Sequence, residues 1–277
     1  MNFTSLPPLV IAAGVGFLSG AHTSIWGMYK DAVHEGFGVA RFTRSMIVGA
    51  IAAVVIQMWL QLDLSRPEAI LVLFGLAYAM ERGIVEVWKT FVRDEDQSKY
   101  TIPMQFTLLG VPVKSRGARL AAGAGYVLVV ALLLFGISRL DRPGAAPPSI
   151  GSAALAGLAV GMVIAFGGAW KDAPKEGFEA LKFFRSPITT VVFAVLLSRL
   201  TSSYLLIAVA SIGYERATAE TYKTFFFPSK PRGKFQGKPI HHPIMLERRR
   251  WFVPAYVLIW IIVLVWGIKA LTNIGAA

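Results

Sequence analysis

The chain contains no cysteine among its 277 residues, which excludes disulfides, thiolate metal sites and thiol nucleophiles. Histidine is nearly as scarce, with four residues, and none of them falls at a position that the internal repeat described below keeps identical. This scarcity argues against a haem or a histidine-rich metal centre. Acidic residues are also few: 16 acids stand against 28 lysines and arginines, which gives a net charge of +12.

Apolar residues, by contrast, are abundant. The hydrophobic fraction is 55% and the mean hydropathy is +0.57, which predicts a polytopic membrane protein and not a soluble domain. No basic residue precedes Lys30, so the first apolar run lacks the positive region of a cleavable signal peptide and is expected to remain as a span. Hydropathy predicts eight spans, at about 8–29, 46–62, 68–91, 119–138, 150–170, 187–200, 203–226 and 251–271.

The basic residues are distributed unevenly between the two predicted sides of the membrane. Only five of the 28 lie on the side that holds both termini, namely Arg66, Arg139, Arg142, Arg199 and Lys269. By the positive-inside rule the opposite side is cytoplasmic, so both termini are predicted to lie outside the inner (plasma) membrane. Much of the net charge therefore reports topology, and nucleic acid is not expected as a partner.

One stretch of seventeen residues occurs twice in the chain. Residues 29–45 read YKDAVHEGFGVARFTRS and residues 170–186 read WKDAPKEGFEALKFFRS, with nine identical positions where chance gives roughly one. A second stretch, ERGIVEVWKTF at 81–91, matches ERATAETYKTF at 215–225 at six of eleven positions. The chain therefore carries an internal duplication.

This duplication predicts the domain organisation. Residues 1–140 and 150–277 each contain four predicted spans, and residues 141–149 form an external Pro/Gly/Ala-rich linker. Since four is even, both copies have the same orientation. We therefore predict an all-α integral membrane protein with about eight transmembrane helices, arranged as two parallel four-helix repeats with a pseudo-twofold axis along the membrane normal. The basic loop 226–250 is expected to lie irregularly at anionic cytoplasmic headgroups.

Spans 1 and 5 also share a pattern of small residues. Gly16 and Gly20 form a G-x-x-x-G pair, and Gly157 and Gly161 fall at the equivalent places of the second copy. Glycines at this spacing make a flat helix face that lets two backbones approach closely. Two pairs in register predict tight packing of these two spans, with contact between them at the central axis as one arrangement.

Charged residues begin unusually deep in spans 3 and 7. Twelve uncharged residues precede Glu81, which corresponds to roughly 18 Å of helix against a hydrocarbon core of about 30 Å. Eleven uncharged residues, 204–214, precede Glu215. An ionised side chain at such depth is expected to face protein or a cavity, because its exposure to lipid is costly.

The repeated charges form the candidate site. Arg82, Glu86 and Lys89 share one helical stripe, which the second copy repeats, whereas Glu81 and Glu215 lie off this stripe and are expected to take partners from another helix. No residue is assigned a catalytic role. The candidate substrate-binding or charge-network residues are Lys30, Asp31, Glu35, Arg44, Glu81, Arg82, Glu86, Lys89, Lys171, Asp172, Glu176, Arg185, Glu215, Arg216, Glu220 and Lys223.

Each motif copy also predicts a change of chain direction. Gly36 and Gly177 follow the motif acids at the place of a helix C-cap glycine. The later Ser45 and Ser186 are predicted to cap the next helix, after an interfacial aromatic and basic segment. The spans that follow are short, and short segments at corresponding positions of two repeats are typical of a binding site.

These features favour a transporter or flippase for an anionic substrate that bears phosphate or carboxylate and is free or lipid-linked. In this hypothesis the repeated arginines hold the anion through forked hydrogen bonds. The repeated acids act as counter-charges that exchange partners or take up a proton as the two halves rock.

Two alternatives stay open. The first is an integral-membrane enzyme acting on a lipid or polyprenyl-phosphate headgroup at the cytoplasmic face, although no prenyltransferase, CDP-alcohol transferase or phosphatase signature is present. The second is a structural or assembly subunit, since eight repeated acids and eight repeated bases could neutralise one another.

No cofactor or metal is assigned from the sequence. Four acids in each half could bind Mg²⁺ or Mn²⁺ through their oxygens, but the equal number of bases nearby favours ion pairing. The expected partners are membrane lipids with anionic headgroups, together with a further copy of the chain or a larger membrane complex.

Overall fold

The computed structural model describes residues 6–141, 147–226 and 233–276, and these residues are mostly helical. Arg142 of the predicted linker and residues 227–232 of the predicted basic loop lie outside the described residues. The elements are α1 (Pro8–Glu35), α2 (Val39–Leu60), α3 (Pro67–Val87), a π-helical turn (Trp88–Val92), β1 (Thr107–Leu108), β2 (Val111–Pro112), α4 (Arg116–Ser138), α5 (Ile150–Glu176), α6 (Ala180–Leu197), α7 (Tyr204–Phe225), α8 (Ile244–Arg248), a 3-10 turn (Arg249–Phe252) and α9 (Val253–Ala276).

Within the described chain, six helical stretches are long and apolar enough to cross a membrane: α1, α2, α4, α5, α6 and the stretch 244–273 that ends in α9. Their outer surfaces are strongly apolar, as Leu128, Leu132 and Phe135 on α4 illustrate with exposed fractions near 60%. An apolar surface of this extent is typical of contact with lipid. The membrane character predicted from composition agrees with these six helices.

The remaining long helices, α3 and α7, differ from these six because they lie in the centre of the protein. Residues 70–79 of α3 are all buried, since α3 packs against α1, α2, α7 and α9. Gly75 and Gly213 allow α3 and α7 to approach closely, because a Cβ atom on Gly213 would lie 2.0 Å from the carbonyl oxygen of Gly75. Because these helices pack mainly against protein, their charged side chains can avoid contact with lipid, where a charge is costly.

The other helices pack around this central pair. Helix α1 packs against α2 and α3, and α5 packs against α6 and α7. Helix α4 packs against α7 of the second half, whereas α9 packs against α3 and α1 of the first half. The last helix of each half therefore completes the packing of the other half.

The four glycines of the two G-x-x-x-G pairs all lie at close helix contacts, as the spacing predicts. A Cβ atom on Gly20 would meet the carbonyl oxygen of Ser45 at 2.1 Å, and one on Gly16 would meet that of Gly49 at 2.2 Å. Gly157 and Gly161 make equivalent contacts with α6. The partner of each pair is thus the following helix, and the expected contact between spans 1 and 5 is wrong, because the short turn after each motif folds the next helix back onto the first.

Two loops cover the end of the bundle where α1 and α5 finish, which we call the motif end. Residues 93–115 include the β1–β2 hairpin, where the Trp170 indole donates to the Thr107 carbonyl at 2.8 Å. The described part of the second loop, from residue 233, lies on α1. There the backbone N–H groups of His241 and His242 donate to the Val33 carbonyl at 3.1 and 3.0 Å. The described part of the basic loop is therefore tied to α1.

Candidate functional site

Both motif copies end a long helix with a glycine. Gly36 ends α1 with a φ of +73° and Gly177 ends α5 with a φ of +81°, a backbone conformation that favours glycine. Their N–H groups donate to the carbonyls of Ala32 and Ala173, both at 2.9 Å. The predicted C-cap glycines are confirmed, and each fixes the direction in which the motif continues.

The helix after each turn begins earlier than predicted. Helix α2 begins at Val39 and α6 at Ala180, so Ser45 and Ser186 lie inside helices and the prediction that they are caps is wrong. The aromatic and basic residues before each serine continue the helix, because a helix at the membrane surface can turn its polar face outward. Both serine side chains are consequently buried against neighbouring helices.

Glu81 on α3 is fully buried and pairs with the residue beside it. The Arg82 guanidinium donates to it twice, from Nε at 2.6 Å and from Nη2 at 2.9 Å. The long arginine side chain folds back to make the two parallel bonds that a carboxylate favours, and the Trp26 ring lies 5.5 Å from the guanidinium. The sequence favours one of four bases on other helices as the partner of Glu81, namely Lys30, Arg44, Lys171 and Arg185, and this expectation is wrong here.

Glu215 on α7 is equally buried but is held differently. Arg216 approaches it with Nε at 3.2 Å, and the hydroxyl of Ser186 donates to its other oxygen at 2.7 Å. A neighbouring helix therefore does supply a partner in this copy, although it is a serine and not one of the expected bases.

The predicted charge stripes are confirmed in both copies. Arg82 and Lys89 each lie 3.6 Å from Glu86 on α3. On α7, Arg216 lies 3.9 Å from the Glu220 carboxylate and Lys223 lies 3.5 Å from it. Glu220 also accepts a bond of 3.1 Å from Lys30 on α1. This last pair joins a helix of the first half to a helix of the second.

The acids of the two motif copies take partners outside the repeated set. Lys234 from the second loop lies 3.1 Å from Asp31 and 3.3 Å from Glu35, and Arg41 also pairs with Glu35 at 3.0 Å. In the second copy, one local lysine pairs with both acids: Lys182 contacts Asp172, at 3.0 Å, and Glu176. The sequence pattern did not predict Lys234, because it lies far away in the chain and has no repeated counterpart.

Three of the repeated bases form no ion pair among the residues that the structure describes. Arg44, Arg185 and Lys171 have no carboxylate within 4.0 Å. The Lys171 ammonium donates to the sulfur of Met104 at 3.4 Å, and at longer range it interacts electrostatically with Glu86. The Nε atom of Arg185 is buried without a hydrogen-bond partner. All eight repeated acids, in contrast, have a basic partner. The repeated acids and the repeated bases therefore do not all pair with one another.

A cavity of about 120 Å³ lies beside Arg44, beneath the turn that joins α1 to α2. Its walls come from α1, α2, the end of α3 and Lys234. Six of the lining side chains are basic and two are acidic; these charged residues are Arg41, Arg44, Arg82, Lys89, Arg93, Lys234, Asp31 and Glu35. Arg82, Lys89 and Arg93 are paired with Glu81, Glu86 and Glu95, which lie just behind the lining. Once these acids are counted, the cavity has an excess of one positive charge, which favours an anion.

Next to this cavity lies a buried polar cluster that sequence reasoning missed. The Tyr78 hydroxyl accepts a bond of 3.0 Å from the Trp26 indole and lies 3.0 Å from Nδ1 of His22. The His22 ring stacks on Tyr256 of α9, with a centroid distance of 4.2 Å. None of these residues is repeated in the other copy, so the duplication gave no signal for them.

The first loop carries its own charge network at the motif end. Glu95 pairs with Arg93 and Lys99 and accepts a bond of 2.9 Å from the Tyr100 hydroxyl. Partial burial acts to raise the pKa of Glu95, but the hydrogen bonds from Lys99 and Tyr100 outweigh it and hold the pKa below its usual value. The loop that covers the bundle is therefore held by an ionised carboxylate at neutral pH.

Comparison of the chain with protein-family models, with curated proteins and with solved structures finds no match. Among the described residues, no three histidine or acidic side chains come together in an arrangement that could hold a metal ion. The charged residues and the cavity are therefore the features that bear on function.

Proposed function

We propose that this protein is a membrane transporter or flippase for an anionic substrate that bears a phosphate or a carboxylate. The observation that carries the proposal is the unequal pairing of the repeated charges. Every repeated acid has a base, whereas Arg44, Arg185 and Lys171 have no carboxylate partner within the described chain. Arg44 borders a cavity whose lining has an excess of positive charge.

A purely structural role for the charges would require them to satisfy one another. A cationic side chain without a counter-charge is costly within a membrane unless an anion or water compensates it. A substrate anion next to Arg44 would supply the missing charge. The unpaired arginines therefore favour binding over the structural alternative, and no specific observation favours the enzyme alternative over transport.

We further infer that the chain forms two four-helix repeats with eight spans, counting α3 and α7 as central crossings. Matching contacts support this inference, since α1 packs on α2 and α3 in the same way as α5 packs on α6 and α7. The last helix of each half packs on the other half, as a twofold relation would produce. The distribution of basic residues favours the inner membrane with the motif end in the cytoplasm and both termini outside.

Movement between the halves would act through the α3–α7 contact. Glu220 is the group best placed to exchange partners, because Lys30, Arg216 and Lys223 all lie within 4.0 Å of it. Lys30 belongs to α1, so its bond to Glu220 would break or shift if one half rocked against the other. A substrate anion can compete with Glu220 for these bases, which would couple binding to movement.

The experiment is transport by the purified full-length chain in proteoliposomes. Labelled inorganic phosphate, a labelled small dicarboxylate and a fluorescent phosphatidic acid analogue serve as three separate probes. We expect flux of at least one probe, and we expect the double variant Arg44→Gln/Arg185→Gln to reduce it by about tenfold or more, since charge-assisted hydrogen bonds contribute about 1.5–3 kcal/mol each.

The matched control is the double variant Lys175→Gln/Arg199→Gln, which removes the same charge from two exposed positions and should transport normally. Flux of no probe above protein-free vesicles, or equal flux in both double variants, contradicts the proposal.

A further inference from the structure

The cavity beside Arg44 is lined by hydroxyl groups without hydrogen bonds, and the corresponding positions of the second half lack such groups. Ser24 and Ser45 both line it, and the structure shows no hydrogen bond of either side chain to any described residue. Ser24 is 6% exposed, and its Oγ atom is buried without a partner. A buried hydroxyl is usually hydrogen-bonded, so the unpartnered Ser24 hydroxyl indicates a polar ligand in the cavity.

The second half has lost both hydroxyls as free donors. In the register set by the two G-x-x-x-G pairs, Ala165 stands where the first half has Ser24. Ser186 corresponds to Ser45, but its hydroxyl already donates to Glu215 at 2.7 Å. The first half therefore keeps the hydroxyls of Ser24 and Ser45 without a hydrogen bond to the described residues, whereas the second half keeps neither.

The charges that face the cavity divide into occupied and available groups. Arg82 is occupied by Glu81 through two hydrogen bonds, and the acids Asp31 and Glu35 are both paired with Lys234. Arg44 has no ion pair among the described residues. Its guanidinium is thus the available cation, because the other bases named here are neutralised by their carboxylate partners.

The size of the cavity limits the ligand. A cavity of about 150 Å³ in another protein holds a benzene ring, so a cavity of about 120 Å³ has room for a compact oxyanion. Guanidinium and hydroxyl donors together match the oxygens of a tetrahedral anion.

We propose that the first half holds one binding site for a single phosphate-sized oxyanion, bound by Arg44, Ser24 and Ser45. This inference rests on the proposed function, because it specifies where the anionic group of the substrate binds. The oxyanion is either free inorganic phosphate or the phosphate of a lipid headgroup at the mouth of the cavity, since both present the same oxygens to these donors.

The test is equilibrium binding of radiolabelled inorganic phosphate to the purified full-length chain in detergent. We expect one phosphate per chain, about tenfold or weaker binding by Arg44→Gln, and a smaller loss by Ser24→Ala and Ser45→Ala. Arg44→Gln leaves no carboxylate unpaired, so its thermal midpoint should match that of the parent chain, which separates loss of binding from loss of folding.

Two matched controls sharpen the result. Ser186→Ala removes the repeated hydroxyl of the second half, and Lys175→Gln removes an exposed charge at the motif end; both should bind phosphate with parent affinity. No binding, two phosphates per chain, or an equal loss in Ser186→Ala and Ser45→Ala overturns the proposal.

A second arm distinguishes the source of the oxyanion. Competition by nanodiscs containing phosphatidic acid, but not by phosphatidylcholine alone, indicates a headgroup, whereas competition by sulfate with no effect of phosphatidic acid indicates a free anion; either result requires the site. Binding of one phosphate without flux of any probe keeps the site and rejects the transporter. Flux that Arg44→Gln leaves unchanged rejects the site and keeps transport.

Discussion

The two buried glutamate–arginine pairs contain the same residues but are built differently. Arg82 makes two bonds to Glu81, and its side chain is 7% exposed beneath the Trp26 ring. Arg216 makes one contact of 3.2 Å to Glu215, and its side chain is 30% exposed. An aromatic ring closes the first pair, whereas a serine hydroxyl supports the second. The duplicated residues thus occupy equivalent positions in the two halves, but the neighbouring side chains determine how many hydrogen bonds each pair makes and how exposed its arginine is.

The largest expected effect comes from removing each glutamate. Glu81→Ala leaves Arg82 buried without its main partner and should destabilise the protein by about 3–5 kcal/mol. Glu215→Ala should have a smaller effect, because the Arg216 side chain is 30% exposed and can be solvated when its partner is lost. Thermal unfolding in detergent measures both variants. An equal or larger loss for Glu215→Ala would show that the two pairs do not differ in the way described.

The helix contacts beneath the two motifs give the next largest effect. Gly20→Ala places a Cβ atom 2.1 Å from the backbone oxygen of Ser45, and Gly161→Ala places one 2.1 Å from the side-chain oxygen of Thr190. We expect Gly20→Ala to cost about 3 kcal/mol, because a backbone contact cannot rotate away. Adding Thr190→Ala should recover part of the loss for Gly161→Ala.

The control for these variants is Gly14→Ala, whose new Cβ atom would meet no other atom within 4 Å. It should be neutral or slightly stabilising, since alanine favours a helix over glycine. If Gly14→Ala lowers the thermal midpoint as much as Gly20→Ala does, close packing is not the reason for the glycine pairs.

A third comparison uses the two repeated serines. Ser186→Ala removes the hydroxyl bond to the buried Glu215 carboxylate and should destabilise the protein by about 2 kcal/mol, because bonds to charged groups contribute more than neutral ones. Ser45→Ala removes no bond within the described residues and should change the midpoint little. Thermal unfolding of the two single variants side by side decides this, and equal shifts would remove the distinction between the copies.

The smallest expected effect concerns the motif acids. Lys234→Gln breaks the link from the second loop to Asp31 and Glu35, whereas Lys182→Gln breaks only local contacts. Partly exposed ion pairs contribute about 0–1 kcal/mol, so neither should shift the midpoint much. Hydrogen exchange should nevertheless increase in residues 233–243 of Lys234→Gln alone. Unchanged exchange there would mean that backbone bonds hold this loop by themselves.

Hydropathy located the helices well but not where they begin. The predicted span 203–226 corresponds to α7 (Tyr204–Phe225), which the Ser203 side chain caps at its start. The predicted span 46–62 misses the first turns of α2, which begins at Val39. A hydropathy window detects the apolar crossing, whereas the backbone hydrogen bonds of a helix continue into amphipathic residues.

The candidate site could be predicted only where contacts are local in sequence. The stripe of Arg82, Glu86 and Lys89 follows from helical spacing alone and is present in the structure. The link from Lys234 to Asp31 joins distant parts of the chain, and the Trp26 ring has no repeated counterpart, so neither left a periodic signal. The eight-span count, the repeat symmetry and the transported anion stay predictions.

The exchange of last helices between the halves bears on how the chain is made. Helix α9 supplies Tyr256, whose ring stacks on His22 of α1, yet it follows all the other described helices in the chain. Until α9 has been synthesised, the surface of α1 and α3 that packs against it stays uncovered. A variant that lacks α9 should therefore leave α1 and α3 without one of their packing partners.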